Sequence, residues 1–134
     1  MMNPAQQTKL FEPTILAFEK AWIADSPPSI GSFVADCDSF SKSRLASELA
    51  AIDMELRWQA TSQGHRLTDL LGGQPTWRAY SKCVPEIGEL AQLPPDLVAE
   101  EYRIRCLWGD RPSHDHFISA FSKQFPLLPQ LLAE

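Results

Sequence analysis

Apolar residues in this chain recur at helical rather than strand spacing, and that rhythm excludes most architectures. Phe11, Ile15, Phe18 and Trp22 follow one another at intervals of four, three and four, and Leu45, Leu49, Ile52 and Leu56 repeat the same intervals. Because an α-helix turns every 3.6 residues, each set lies on one helical face. Val and Ile are never strung into alternating runs long enough to outweigh that spacing, so no sheet is expected. The sequence predicts an all-α fold, a small irregular bundle of about five to seven helices with short internal helical repeats.

The repeats are announced by a phrase that occurs three times: Pro28-Ser29-Ile30-Gly31-Ser32-Phe33, Pro75-Thr76-Trp77-Arg78-Ala79-Tyr80 and Pro112-Ser113-His114-Asp115-His116-Phe117. A Ser or Thr at a helix start accepts a hydrogen bond from a first-turn N–H that has no intrahelical partner. The aromatic four residues later begins an apolar face, and the proline disfavours continuation from the preceding segment. Helix starts are therefore expected near residues 29, 76 and 113, set by Pro28, Ser29 and Phe33, by Pro75, Thr76 and Tyr80, and by Pro112, Ser113 and Phe117. The phrase specifies folding, not chemistry.

Between these points the elements can be placed. Residues 1–8 are polar and expected to be flexible, followed by a single helical domain over 9–134. Pro13 fits a first turn, which predicts a helix from near Glu12 to about Ala24. The longest run predicts a helix from about Ser43 to Gln59, with Trp58 closing its last turn onto the core and Glu48 and Glu55 nearer solvent. A single turn is expected over Leu67 to Leu71, stopped by Gly72-Gly73. The helix after Thr76 should end before Pro85, with Ile87, Leu90 and Leu93 making apolar contacts in an extended or loosely turned connection. Pro94-Pro95-Asp96 opens a further helix. Val98, Tyr102 and Cys106 form one line of it, Leu97, Ile104, Leu107 and Trp108 widen its apolar face, and Gly109 ends it in a left-handed conformation. The last helix starts at Ser113, carries Phe117, Phe121 and Phe125, and ends at Pro126. Leu127, Leu128, Leu131 and Leu132 should pack back onto the core.

Charge and cysteine usage narrow the function. A net charge of −5 argues against a nucleic-acid surface, which needs clustered Lys and Arg. Cys37, Cys83 and Cys106 are isolated, without metal-ligand spacing or a disulfide framework, which points to a reducing compartment. The N-terminus has no apolar stretch of signal-peptide length, and no eighteen apolar residues run consecutively. A cytoplasmic location without direct membrane insertion is expected.

The candidate chemical clusters are weak. His114-Asp115-His116 has two histidines that do not share a helical face, so it reads as a helix start rather than a metal or catalytic site. His65 has no strong companion. No nucleophile-bearing turn of the Gly-x-Ser-x-Gly kind exists, and Gly72-Gly73 lacks the strand and lysine of a phosphate loop. Glu100 and Glu101 precede Arg103 and Arg105, which favours helix-surface ion pairs over a general-acid pair. No catalytic residue, no metal site and no cofactor are expected for this chain. The segment Glu101 to Ser113 stands out, because Arg103, Arg105, Trp108, Asp110 and Arg111 mix guanidinium forks with aromatics as protein-binding surfaces do. The same residues fit a second reading, in which Tyr102 and Trp108 are core and the arginines cap carbonyls or pair with Glu100, Glu101 and Asp110.

That segment, with Leu45 to Trp58 and Pro75 to Pro85, resembles the non-catalytic region preceding the kinase domain in bacterial, planctomycete-type, eukaryotic-like serine/threonine protein kinases. The motifs that carry the resemblance are a leucine- and glutamate-rich helix, a Gly-x-x-Pro-Ser/Thr turn at Gly109-Asp110-Arg111-Pro112-Ser113, and aromatic-proline endings. Tyr80-Ser81-Lys82-Cys83-Val84-Pro85 and Phe121-Ser122-Lys123-Gln124-Phe125-Pro126 match two such endings. Tyr80 aligns with Phe117 by the phrase or with Phe121 by the ending. The turn at Gly72-Gly73-Gln74-Pro75-Thr76 lacks the usual charge. The resemblance implies a regulatory or docking domain upstream of a kinase domain. ATP and magnesium would belong only to that absent domain, since no Gly-rich loop, His-Arg-Asp loop or Asp-Phe-Gly is present here. The implied partner is the attached kinase domain or another protein. A free-standing helical adaptor is the alternative, and a small hydrolase a more distant one.

Overall fold

The computed structural model describes residues 4–23, 27–64, 75–90 and 93–121. They form six helices and no strand: α1 Pro4–Ala21, α2 Ile30–Val34, α3 Ser39–Ser62, α4 Trp77–Cys83, α5 Pro95–Trp108 and α6 His114–Phe121, with a 3₁₀ turn at Pro85–Ile87. The all-α bundle expected from the apolar rhythm is thus observed. The long α3 is its axis, and α1, α2, the 3₁₀ turn and α5 all pack against it. Leu67 to Leu71, Gly72-Gly73, His65, Phe125 and the leucine tail lie outside the described residues.

Two helices begin earlier than their apolar spacing suggested. Helix α1 starts at Pro4, ahead of Glu12, and so overlaps the segment expected to be a flexible leader. Pro13 lies inside it rather than in its first turn, and removes the N–H that would bond the carbonyl of residue 9. Its ring is exposed, so the clash and the lost bond fall on the solvent side of the helix. Helix α3 starts at Ser39 because Asp38 caps it, its Oδ1 accepting the Ser41 N–H at 2.8 Å. The four residues ahead of the expected start at Ser43 are thus a first turn behind an Asp38 cap.

The three phrases do precede three helices, with differing geometry. Thr76 Oγ1 accepts from the Ala79 N–H at 3.3 Å and Ser113 Oγ from the His116 N–H at 3.2 Å. Ser29 holds the same position before α2, yet its side chain makes no capping bond; its carbonyl instead accepts the Ser32 hydroxyl at 2.8 Å. Tyr80 and Phe117 are buried, whereas Phe33 is half-buried with its ring edge-on to Phe18 at 5.2 Å.

Helix α5 opens at Pro95 and buries Leu97, Val98 and Ile104 against α3. Leu107, expected on that face, is 55% exposed because it is rotated away from the line of Leu97, Glu101 and Ile104. Gly109 ends the helix, but at φ −123°, not in the left-handed region. Its need for glycine is steric, since a Cβ there would stand 2.6 Å from Trp58 Cε3. The left-handed residue of this turn is Arg111, at φ 50°.

Candidate functional site

Two buried polar clusters, neither of them visible as apolar patterning, tie the bundle together. The first centres on Asp53 of α3, only 2% exposed. Its Oδ1 accepts the Trp22 indole N–H at 2.9 Å, and its Oδ2 accepts both Arg57 Nε at 2.6 Å and the Tyr80 hydroxyl. One carboxylate thereby joins the end of α1, two turns of α3, and α4. Burial, followed by the negative charge of Asp53, pushes the Tyr80 hydroxyl pKa well above its ordinary 10.0, so it stays a proton donor in this bond.

The second cluster centres on Glu101 of α5, 1% exposed. Its Oε1 accepts the Trp77 backbone N–H at 2.7 Å, serving a first-turn donor of α4 that has no intrahelical partner. Its Oε2 takes Arg105 Nη1 at 2.9 Å, while Arg105 turns Nε and Nη2 toward Asp110 at 2.9 and 2.7 Å. The Arg105 guanidinium also lies 6.0 Å from the centroid of the Trp58 ring. Trp58 donates its indole N–H to the Pro75 carbonyl and Trp77 to the Leu97 carbonyl, both at 2.8 Å. Burial raises the Glu101 carboxyl above its ordinary 4.5, against the opposing pull of Trp77 N–H and Arg105. Arg105 holds Asp110 below its ordinary 3.8.

The residues singled out between Glu101 and Ser113 therefore divide. Arg105 and Asp110 pair with each other inside the second cluster, and Glu101 is an interior anchor, not a helix-surface charge. Arg103, 45% exposed, bonds Glu100 at 2.7 Å and reaches across to Glu55 of α3 at 3.3 Å. Trp108 donates to the same Glu55 at 3.2 Å. Arg111 is exposed, with its N–H on the Arg105 carbonyl at 3.1 Å. His114, Asp115 and His116 are all exposed, and His114 stacks edge-on against Tyr102. Among the described residues no three His, Cys, Asp or Glu side chains are grouped to hold a metal ion.

Sequence reasoning missed Asp53, Arg57 and the interior role of Glu101. The available signal was the Asp53–Arg57 spacing of four on a helix otherwise rich in Ala and Leu. A cleft of about 290 Å³ opens beside the first cluster, lined by Asp53, Arg57 and Tyr80 together with Pro28, Gly31 and Glu86. Among the described residues, no helix is long and apolar enough to cross a membrane. No family model matches this chain, and no curated protein or solved structure matches it either.

Proposed function

We propose that this chain is a non-catalytic regulatory or protein-docking domain attached upstream of a serine/threonine protein kinase domain, acting in the cytoplasm. The observation that carries the reading is the meeting of the three stretches that bear the kinase-region resemblance. Leu45 to Trp58 supplies Asp53 and Trp58, Pro75 to Pro85 supplies Trp77 and Tyr80, and the turn after α5 supplies Asp110 beside Arg105. They interlock through Tyr80–Asp53, Trp58–Pro75 and Trp77–Glu101 contacts. The resembling residues are thus occupied in holding one scaffold, as a motif that specifies a domain would be. Around that scaffold Arg103, Asp110 and Arg111 stand exposed and close in sequence, a surface suited to a protein partner.

The test is the uninterrupted reading frame beyond Glu134, followed by removal of residues 1–134 from its product. A catalytic domain in that frame, with phosphorylation or partner recruitment altered by the removal, supports the proposal. A frame that stops without kinase motifs overturns the attachment.

A further inference from the structure

The exposed side of α5 repeats the four, three, four rhythm of the buried faces in mixed chemistry: Asp96, Glu100, Arg103 and Leu107. At its C-terminal end Leu107 is 55% exposed, one of three large apolar side chains so exposed among the described residues, and Arg111 stands exposed four positions beyond it. At its N-terminal end a groove of about 320 Å³ runs between α5 and α3, with Ile52 and Leu97 as apolar wall and Glu48, Glu55, Asp96 and Glu100 around it. Glu48 is paired with Arg44, and Glu55 and Glu100 with Arg103. Asp96 and Arg111 are the charges of this face left over: among the described residues neither forms an ion pair. A cation with an apolar neighbour thus sits at one end of the stripe, and an acidic groove with an apolar wall at the other. The two ends do not meet within one chain, since Asp96 and Leu107 are separated by about 16 Å along the helix axis. A second copy turned end for end sets each feature opposite its complement.

We infer that this chain self-associates through α5, two copies packing antiparallel about a two-fold axis, with Leu107 and Arg111 of each entering the acidic groove of the other and Arg111 pairing with Asp96. A two-fold contact is made twice, so each dimer gains two Arg111–Asp96 pairs and covers two Leu107 side chains. The register that sets Arg111 opposite Asp96 places the axis beside Arg103, where two guanidinium groups approach. Their repulsion is limited, because each already holds Glu100 at 2.7 Å and Glu55 at 3.3 Å. The stripe is short and mostly polar, which makes the dimer weak, with a dissociation constant of about 10–100 μM. A basic peptide would satisfy the groove but leave Leu107 and Arg111 in water, so a second copy is the fuller complement. The inference stands whether or not a kinase domain is attached; a docked kinase domain that uses Arg111 competes with the second copy.

Sedimentation equilibrium of the full chain, from about 5 to 500 μM, tests it. A monomer–dimer equilibrium is expected, and it should weaken as salt is raised. Arg111→Asp and Asp96→Arg, each with the circular dichroism of the parent, should weaken the homodimer at least about tenfold, because like charges then face each other. Aspartate is tolerated at the left-handed position 111, so the first change leaves the turn intact. An equimolar mixture of the two variants should dimerise again, since in the mixed dimer one pair is native and the other is reversed. Leu107→Gln, at an exposed position, should weaken the dimer and keep the fold. A chain that stays monomeric throughout, a dimer indifferent to Arg111→Asp or Leu107→Gln, or a mixture of the two folded charge variants that remains monomeric overturns the inference.

Discussion

Gly109 and Trp58 meet so closely that a methyl group on the glycine would stand 2.6 Å from Cε3, 2.8 Å from Cζ3 and 3.0 Å from Cδ2 of the indole ring. The ring cannot easily withdraw, because its N–H is bonded to the Pro75 carbonyl and the Arg105 guanidinium lies over it. Gly109→Ala should therefore destabilise the fold by about 1–3 kcal/mol through overpacking alone. In a Trp58→Leu background the same change should cost less than about 0.5 kcal/mol, because the opposing ring is gone. Urea denaturation of the four proteins measures both quantities. Equal costs in the two backgrounds would mean the glycine is required for some other reason.

The Asp53 carboxylate is shared by three donors, and its removal leaves Arg57 as a buried charge without its counter-ion. Asp53→Ala should cost about 3–5 kcal/mol. Tyr80→Phe removes one of the three bonds and keeps the ring packed, so it should cost less, about 1–3 kcal/mol. The order is the prediction: a Tyr80→Phe loss as large as that of Asp53→Ala would show that the hydroxyl, not the ion pair, organises the cluster.

Glu101 and Asp110 share Arg105 but titrate in opposite directions. Burial makes the folded state hold the Glu101 proton more tightly than the unfolded chain does. Its contribution is therefore fully present below 4.5 and declines as pH rises through the raised value. Asp110 is depressed, so its contribution is present above 3.8 and is lost as pH falls through its folded value. Carboxyl-carbon NMR titration should show Asp110 losing its proton well before Glu101. The stability of the parent relative to Glu101→Gln should fall as pH rises above 4.5; a rise in that window would reverse the assignment.

The three copies of the helix-start phrase look equivalent as text and differ in what they do. Thr76→Ala and Ser113→Ala each remove a capping bond and should cost about 0.5–2 kcal/mol. Ser29→Ala removes none, and its effect should stay within about 0.5 kcal/mol. At the aromatic positions, Phe117→Ala should cost about 3–5 kcal/mol and the half-buried Phe33→Ala less. Thermal unfolding of these variants checks the ranking. A Ser29→Ala loss matching that of Thr76→Ala would restore the equivalence of the copies.

What was legible in the sequence is what periodicity can carry. Leu45 and Leu49 mark the buried face of α3, Trp77 and Tyr80 that of α4, and Val98 and Ile104 that of α5. What escaped lies where burial is not apolar. Helix α3 is packed by several neighbours, so its buried surface extends beyond one stripe and takes in Ser47, Asp53 and Arg57. A charged residue reads as solvent-facing until its partners are known, and besides Arg57 the partners of Asp53 stand 31 residues before it and 27 after it. Gly109 was recognised as a helix terminator, but its cause, a ring 51 positions earlier in the chain by the numbering, has no local signature.

Arg103 and Arg105, side by side in sequence, separate cleanly as probes of a docking surface. Arg105 is 16% exposed and satisfies Glu101, Asp110 and the Trp58 ring, so its removal strands a buried carboxylate. Arg105→Ala should destabilise the fold by about 2–4 kcal/mol, and any binding loss it causes is confounded by that change. Among the described residues Arg103 pairs with the exposed or half-exposed Glu100 and Glu55, and Arg103→Ala should shift stability by no more than about 1 kcal/mol. If the α5 surface docks the kinase domain proposed above, Arg103→Ala weakens that association while melting close to the parent, and Arg111→Ala does the same. Undiminished association of both folded variants, measured by surface plasmon resonance at matched salt, removes these arginines from the interface.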